Sequence, residues 1–445
     1  MTAYSRILGS TLIPAYYRFR GREYPAYRTL LEQSQWWSPD HLRQFQWQEL
    51  QRLLDHVFRT VPYYKEKYAA AGVDRHAIRT IEDFVKIPPL TRTEVNAHRA
   101  ELCSMVPTRD LVSHATGGSS GVPTRFFITM DSYDWRCAAS ERAYSWSGHR
   151  VGERTLYLWG APIGKVSSFD SIKIKTYRLL RREFYIQTFS QTTEFWRLIL
   201  KEVIRFRPRF IVGFVSSLEE FARFLLEEGS AIPGVQAVIA AAEPVSERTR
   251  HLVAQAFGAP LFNTYGSREF MSIAAECDHH HGLHINSENL FVEVEVPSSE
   301  TPSEFLITDL HNYGMPFIRY RIGDIGLLSN VTCPCGRGLP LIRSVEGRVL
   351  DMLRTRDGRV VPGEFFPHIL KDVPEVREFQ VIQTSLDEIV VSLVLTNPLS
   401  DGSRTLLRHE TSKVFGADCR ITINPVAAIP RRPSGKRRVT VGLDV

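Results

Sequence analysis

The chain lacks the features that would place it in several large classes. No apolar run is long enough to span a bilayer, which argues against stable membrane insertion. Six cysteines in 445 residues are too few and too scattered for a disulfide framework, and they suit a reducing cytoplasm. Internal repeats and low-complexity tracts are absent, so repeat arrays are excluded. Neither charge sign dominates: 55 Lys and Arg against 49 Asp and Glu leave +6. That balance suits an anionic ligand but is too diffuse for DNA or RNA, and no basic stripe interleaves with aromatics outside the tail. What is present is an ordinary globular composition, 43% hydrophobic and 23% charged, long enough for two or three domains. The short apolar patch Ile7 to Ala15 is broken by Gly9 and Pro14 and has no cleavage-site pattern. It reads as an arm packed on the body, with weak membrane-surface contact as the alternative.

From Pro39 to Ala70 apolar residues recur near helical spacing, interrupted at Pro62-Tyr63-Tyr64. Thr91-Arg92-Thr93-Glu94 is a helix cap and first turn. From Asp131 to Gly266 helices and short apolar strands alternate. The strands end at Trp159, Phe214, Ala242 and Tyr265. This order predicts an α/β core with a largely parallel sheet, whose ligands sit beyond the carboxyl ends of the strands. Residues 284–328 read as a smaller β unit. Beyond Gly347-Arg348 the order of elements predicts a small α+β domain, ferredoxin-like in element order. The expected boundaries are 1–347 and 348–445, with a hinge near Asp351.

The organising stretch is Ser113 to Thr129. Thr116, Gly117, Gly118, Ser119, Ser120 and Gly121 combine three glycines with three hydroxyls. Glycine accepts positive φ and adds no bulk, so backbone N–H groups can converge and cradle phosphate oxygens. The spacing is neither G-x-x-x-x-G-K-[ST] nor G-x-G-x-x-G, and a surface loop is the plain alternative. Tyr265-Gly266-Ser267-Arg268-Glu269 offers an aromatic for a purine and a carboxylate for a phosphate-bound metal ion. Alternatively, Glu269 opens the next helix. Asp324, after Gly323, can accept both hydroxyls of a ribose, or sit in a hairpin turn. Arg348 can pair with a phosphate or ribose, and Asp351 can sit at a pivot; an exposed linker is the alternative. Lys436, on Pro433-Ser434-Gly435, can reach a carboxylate and a phosphate together, or belong to a solvated basic tail.

These five motifs, in this order, resemble the adenylate-forming superfamily of acyl-CoA synthetases, and more closely the phenylacetate–CoA ligase and CapK-like family. The resemblance runs from Val61-Pro62-Tyr63-Tyr64 to the tail lysine. It implies that Thr116 to Gly121 bind the ATP phosphates, with Thr116 among the catalytic residues. Tyr265 would stack on adenine beside Gly266, Glu269 would hold Mg²⁺, and Asp324 and Arg348 would hold the ribose. Ala242-Glu243-Pro244 matches the family's Gly-Glu-Pro segment, which lines the adenine and acyl pocket. Asp351 matches the hinge, and Lys436 the lysine of the adenylation transition state. The residue after Pro123 is Thr124 where the wider superfamily often has lysine.

The implied activity joins a small-molecule carboxylic acid to an acyl acceptor. ATP activates the acid as an acyl-adenylate, and coenzyme A then takes the acyl group. An amide or ester synthetase using an amine, sugar or carrier thiol is the rival within the class. A non-catalytic nucleotide-binding protein is the rival outside it. Trp159, Phe214, Ala241 and Ala242 are candidate walls of an acyl pocket for an aryl or arylacetic acid; aromatics at strand ends also serve as plain core. The protein is expected to be a monomer or homodimer. Finally, Cys277, Cys333 and Cys335 with one of the four histidines His279, His280, His281 and His284 offer a soft tetrahedral ligand set for a structural Zn²⁺, or are unpaired cysteines beside a chance histidine cluster; the resemblance implies His284, with His280 second. Some relatives in the family carry a similar site.

Overall fold

Proline and hydroxyl caps divide this chain into its elements. A computed structural model describes residues 2–105, 111–115, 124–159, 168–188, 193–298, 300–348, 353–357, 360–361, 365–370, 373–430 and 439–443. The N-terminal arm is helical: α1 (Ala3–Ile7), a π turn (Leu8–Leu12), α2 (Ile13–Phe19) and α3 (Tyr24–Ser34). The pattern over 39–70 divides into α4 (Pro39–Thr60) and α5 (Pro62–Ala70). Pro62 has no N–H to continue the ladder, and Val61 before it is extended. A capping box of Thr91 and Glu94 starts α6 (Arg92–Ala97). A hairpin follows, β1 (Val112–Ala115) with β2 (Arg125–Ile128), antiparallel.

The central elements are α7 (Met130–Ser145), β3 (Thr155–Trp159), α8 (Ser168–Arg181), β4 (Glu183–Gln187), α9 (Thr193–Phe206), β5 (Phe210–Phe214), α10 (Val215–Glu227), β6 (Ala237–Ala241), α11 (Glu247–Phe257) and β7 (Leu261–Ser267). Then come β8 (Met271–Glu276), β9 (Leu283–Ile285), β10 (Leu290–Val294), β11 (Ser303–Asp309), β12 (Tyr320–Ser329) and β13 (Leu341–Arg348). Among the described residues, these strands make one sheet of order β10-β11-β12-β13-β9-β8-β7-β6-β5-β3-β4. From β4 to β7 every pairing is parallel. At β7–β8 the sheet turns antiparallel. The strands read as a separate β unit therefore continue the same sheet. Strands β5 and β6 are buried along their whole length, which is why they are apolar runs without alternation. Helices α9, α10 and α11 complete this core around Trp196, Phe221, Phe224 and Phe257.

Two buried ion pairs fasten α7 to the antiparallel half. Arg142 grips Glu288 at 2.6 and 2.8 Å and also donates to Asn286. Arg136 pairs with Asp309 of β11, which also accepts from Ser132. Removing one partner of such a pair strands a buried charge, at a cost of about 3–5 kcal/mol.

The chain divides into two compact units, Met1–Ile322 with Leu327–Ser344, and Gly323–Gly326 with Val345–Val445. The second contains β14 (Leu353–Arg354), β15 (Val360–Val361), α12 (Phe365–Leu370), β16 (Val376–Ser385), β17 (Glu388–Leu395), α13 (Asp401–Phe415), β18 (Arg420–Pro425) and β19 (Thr440–Val441). Its four-stranded sheet has the order β18-β17-β16-β19, with an antiparallel hairpin in the middle and a parallel strand on each side. Phe366, Val391, Leu393, Leu407 and Phe415 are in its core. Among the described residues, no helix is long and apolar enough to cross a membrane.

Candidate functional site

Chain direction reverses within the parallel half of the sheet. From β3 the chain steps outward to β4, then returns past β3 to β5, β6 and β7. The switch point lies between β3 and β5. In open α/β sheets ligands occupy the crevice beyond the strand ends at such a point. Trp159 ends β3 and Phe214 ends β5, and their rings meet at 4.5 Å with a 31° tilt. Beside them Thr188 and Ser217 share a hydroxyl hydrogen bond of 2.9 Å. Ala241, in register with both Phe214 and Thr264, ends β6.

The segment after β6 has an unusual backbone. Ala242 has φ +67°, a left-handed conformation that its Cβ disfavours. This turn sends the Glu243 carboxylate to the start of α10. There it accepts the Ser216 N–H at 2.6 Å and the Ser216 hydroxyl at 3.2 Å. Phe214, the N-cap of α10, has no side chain able to cap, so Glu243 supplies the missing acceptor from a remote loop. Pro244 is exposed.

Tyr265 and Gly266 lie in β7, and Glu269 lies in the tight turn into β8. Glu269 therefore does not open a helix. A register shift falls between Tyr265 and Gly266. A Cβ on Gly266 would sit 2.2 Å from the Met271 carbonyl oxygen, so only glycine fits this bulge. Tyr265 is half-buried, 5.9 Å from the Phe305 ring. Glu269 is buried and faces the Arg92 guanidinium at 3.5 Å. Sequence reading found Arg92 only as part of a helix cap, and it missed Ser216. The capping pattern places Arg92 at the first turn of α6, but only the packing of α6 brings it to Glu269.

Asp324 is buried inside β12, an uninterrupted strand, so it is not in a hairpin turn. It is grouped with the second unit. Arg348 ends β13. Thr116, Gly117, Gly118, Ser119, Ser120, Gly121, Asp351 and Lys436 lie outside the described residues.

The cysteine cluster does assemble. The donor atoms of Cys277, His284, Cys333 and Cys335 all lie within 4.8 Å of one another. Cys277 Sγ is 3.7 Å from Cys333 Sγ, and Cys335 Sγ is 3.4 Å from His284 Nε2. Cys277 follows β8, His284 is in β9, and the Cys333–Cys335 knuckle precedes β13. His280, by contrast, turns to Glu276 at 3.1 Å. Burial, reinforced by Arg337, lowers His284 to about 4, so its ring is neutral. Burial raises the Cys277 thiol to about 12. Burial opposes charge at Cys335 too, but hydrogen bonds from Arg337 outweigh it and lower that thiol. Gly338 follows the knuckle, and a Cβ there would lie 1.9 Å from the Trp37 carbonyl oxygen. The knuckle therefore packs directly against the segment joining α3 to α4.

The chain has relatives that match it over most of its length. A phenylacetate–coenzyme A ligase of Thermus thermophilus is 25% identical over 441 residues, covering 91% of this chain and 97% of its own length. The chain is similar along most of its length to adenylate-forming ligases of the phenylacetate–CoA ligase and CapK-like kind. The CapK protein of Staphylococcus aureus is 22% identical and covers 90% of this chain and 89% of its own length. The family model of the CapK C-terminal domain matches residues 353–442. Among solved structures, a 2-hydroxyisobutyryl-CoA ligase in its postadenylation state, in complex with 2-HIB-AMP, superimposes with a TM-score of 0.70. That match is 21% identical and covers 89% of this chain and 88% of the other, and it carries the fold alone.

Proposed function

We propose that this protein is an ATP-dependent carboxylate–CoA ligase of the AMP-forming type. The observation that carries the reading is the switch-point crevice. Trp159, Phe214 and Ala241 end adjacent parallel strands there, in a chain of which a relative named as a phenylacetate–CoA ligase covers 91%. In the first step a carboxylate oxygen attacks the α-phosphorus of ATP. The bond to the bridging oxygen of the β-phosphate breaks, and pyrophosphate leaves. In the second step the thiolate of CoA attacks the acyl carbon, and AMP leaves with the carboxylate oxygen.

The residue roles follow the same reading. Thr116 to Gly121 hold the phosphates with backbone N–H groups. Lys436 offsets charge on the α-phosphate and the attacking carboxylate. Tyr265 faces adenine beside Gly266, and Asp324 and Arg348 hold the ribose. A Mg²⁺ ion at Glu269 would neutralise phosphate oxygens. Trp159, Phe214, Ala241 and Ala242 wall the acyl pocket, and two converging aromatic rings support an aryl or arylacetic acid. Residues 348–445 act as a lid that pivots at Asp351 between the two half-reactions, in the cytoplasm where ATP and CoA are supplied.

Zinc at Cys277, His284, Cys333 and Cys335 is part of the proposal. Zinc bonds of about 2.3 Å to sulfur and about 2.0–2.1 Å to nitrogen, at tetrahedral angles, require S···S near about 3.8 Å and S···N near about 3.6 Å. The observed 3.7 and 3.4 Å fit that requirement. All four positions are filled by protein, so the ion would be structural.

The test is ATP–pyrophosphate exchange against aromatic, arylacetic, fatty and amino acids, with and without CoA. Exchange with one aromatic class and a CoA-dependent thioester is the expected result. Lys436→Ala should lower exchange at least a hundredfold, as for loss of a charge-stabilising donor. Exchange without a thioester would move the acceptor to an amine, sugar or carrier thiol. No exchange with any acid, from folded protein that binds ATP, would overturn the enzyme reading.

A further inference from the structure

The N-terminal arm and α8 carry an apolar surface that the ligase chemistry does not use. Phe19 is 89% exposed and Leu179 77%. Ile7, Leu12 and Tyr16 on the arm are also exposed, as are Tyr177 and Leu180 on α8. Leu12, Tyr16 and Phe19 are spaced i, i+4, i+7 and so share one helical face. The π turn at Leu8–Leu12 closes five-residue steps, which brings Ile7 toward the same face. The opposite side of the arm is anchored. Ser5 donates to the Val151 carbonyl at 2.6 Å, and the Gly9 carbonyl accepts from Arg28 at 2.6 Å. The exposed side is therefore fixed in place by the body.

The two elements form one patch. Tyr4 donates to the Leu180 carbonyl at 2.6 Å, and the Arg182 guanidinium lies 3.9 Å above the Tyr4 ring. Charge along residues 2–22 and 174–182 has one sign. No Asp or Glu occurs from Thr2 to Arg22 or from Ile174 to Arg182. Arg6, Arg18, Arg20 and Lys175 are exposed. A helix with protruding apolar and aromatic residues among Arg and Lys is the composition that lies in a lipid headgroup layer: the apolar groups enter the acyl boundary and the cations meet phosphates.

We propose that this face docks the enzyme reversibly on an anionic membrane surface. Charge complementarity selects that occupant: the exposed charges of residues 2–22 and 174–182 are cations. Side chains as exposed as Phe19 and Leu179 suit a fluid phase that closes around them. Docking is peripheral, since the arm lies along the protein and spans nothing.

The test is flotation of the full-length protein with vesicles of phosphatidylcholine alone or mixed with phosphatidylglycerol. The expected result is binding to the anionic vesicles only, reversed by salt. Arg18→Glu and Arg20→Glu should each weaken binding by about fivefold or more. Phe19→Asp combined with Leu179→Asp should abolish it and leave the thermal midpoint unchanged, because both side chains are in solvent. Equal binding to both vesicles, no binding at low salt, or binding retained by the double variant would overturn the proposal. So would a concentration-dependent dimer by light scattering that the double variant dissolves, since a second copy would then cover the face.

Discussion

The carboxylate of Glu243 accepts the backbone N–H of Ser216 at 2.6 Å. One residue follows β6 and the other lies in the first turn of α10, so the contact ties two strand ends of the switch-point crevice together. A remote carboxylate at a helix N-terminus satisfies an orphan donor and faces the positive end of the helix dipole. Glu243→Ala should cost about 1–2 kcal/mol of stability. It should also raise KM for the acid, as the crevice floor loosens. Glu243→Gln keeps an acceptor and should recover part of both. Chemical denaturation and pyrophosphate exchange on the same variants check this.

Ala242 gives a prediction of the opposite sign. At φ +67° an alanine bears a steric penalty that glycine does not. Ala242→Gly should raise stability by up to about 1 kcal/mol, the gain being limited by glycine's greater freedom when unfolded. A lowered midpoint would mean that the Ala242 methyl packs usefully at the crevice.

Gly266→Ala should be severe. Its Cβ would overlap the Met271 carbonyl oxygen at 2.2 Å, and two backbone segments must part to admit it. A cost of about 1–3 kcal/mol is expected. The hairpin carrying Tyr265 and Glu269 should shift, so pyrophosphate exchange should fall more than stability alone accounts for. Calorimetry and exchange kinetics on one preparation separate the two.

Removal of the proposed zinc should act on stability and spare the chemistry. Metal analysis should find about one zinc per chain, and none in Cys333→Ser. That variant should melt several degrees lower. Well below its melting point its exchange rate should remain near that of the parent. Loss of exchange with stability intact would instead tie the cluster to catalysis.

His149 makes stability depend on pH. It is buried between Tyr144 and Phe210 and bonded to Thr155 at 3.1 Å, and burial lowers it to about 3. The unfolded chain, with an ordinary histidine near about 6.5, takes up this proton first as pH falls. The stability is therefore fully present above about pH 6.5 and is lost progressively as pH drops toward about 3. His149→Gln should flatten the melting-temperature profile over that window. An unchanged slope would assign acid unfolding to other groups.

Much of the fold was legible because its signals are local. Short apolar runs between helical segments, such as Phe210–Phe214 and Ala237–Ala241, read as buried strands, and Thr91 with Glu94 favours a helix start. The three clustering cysteines were legible because thiols are rare in this chain, whereas the residues alone left four histidines open, and the packing brings His284 to them. The joining of the β unit to the parallel half was not legible. It depends on a strand reversal at β7–β8 that leaves no periodic mark. Nor was the Arg92–Glu269 pair, whose members lie far apart in the chain.

Apart from the helices of the arm, α8 and β4, which were not read from it, the sequence by itself determined many of the helices and strands, the order of the motifs and the kind of chemistry their residues support. Each follows from side-chain type and short-range spacing, which the chain carries wherever it goes. Tertiary structure alone decided that Glu243 would serve a helix end, that Cys277 and Cys333 would approach to 3.7 Å, and that Tyr4 would join the arm to α8. Those are distances between residues far apart in the chain, set only when burial of the shared core fixes where each element lies.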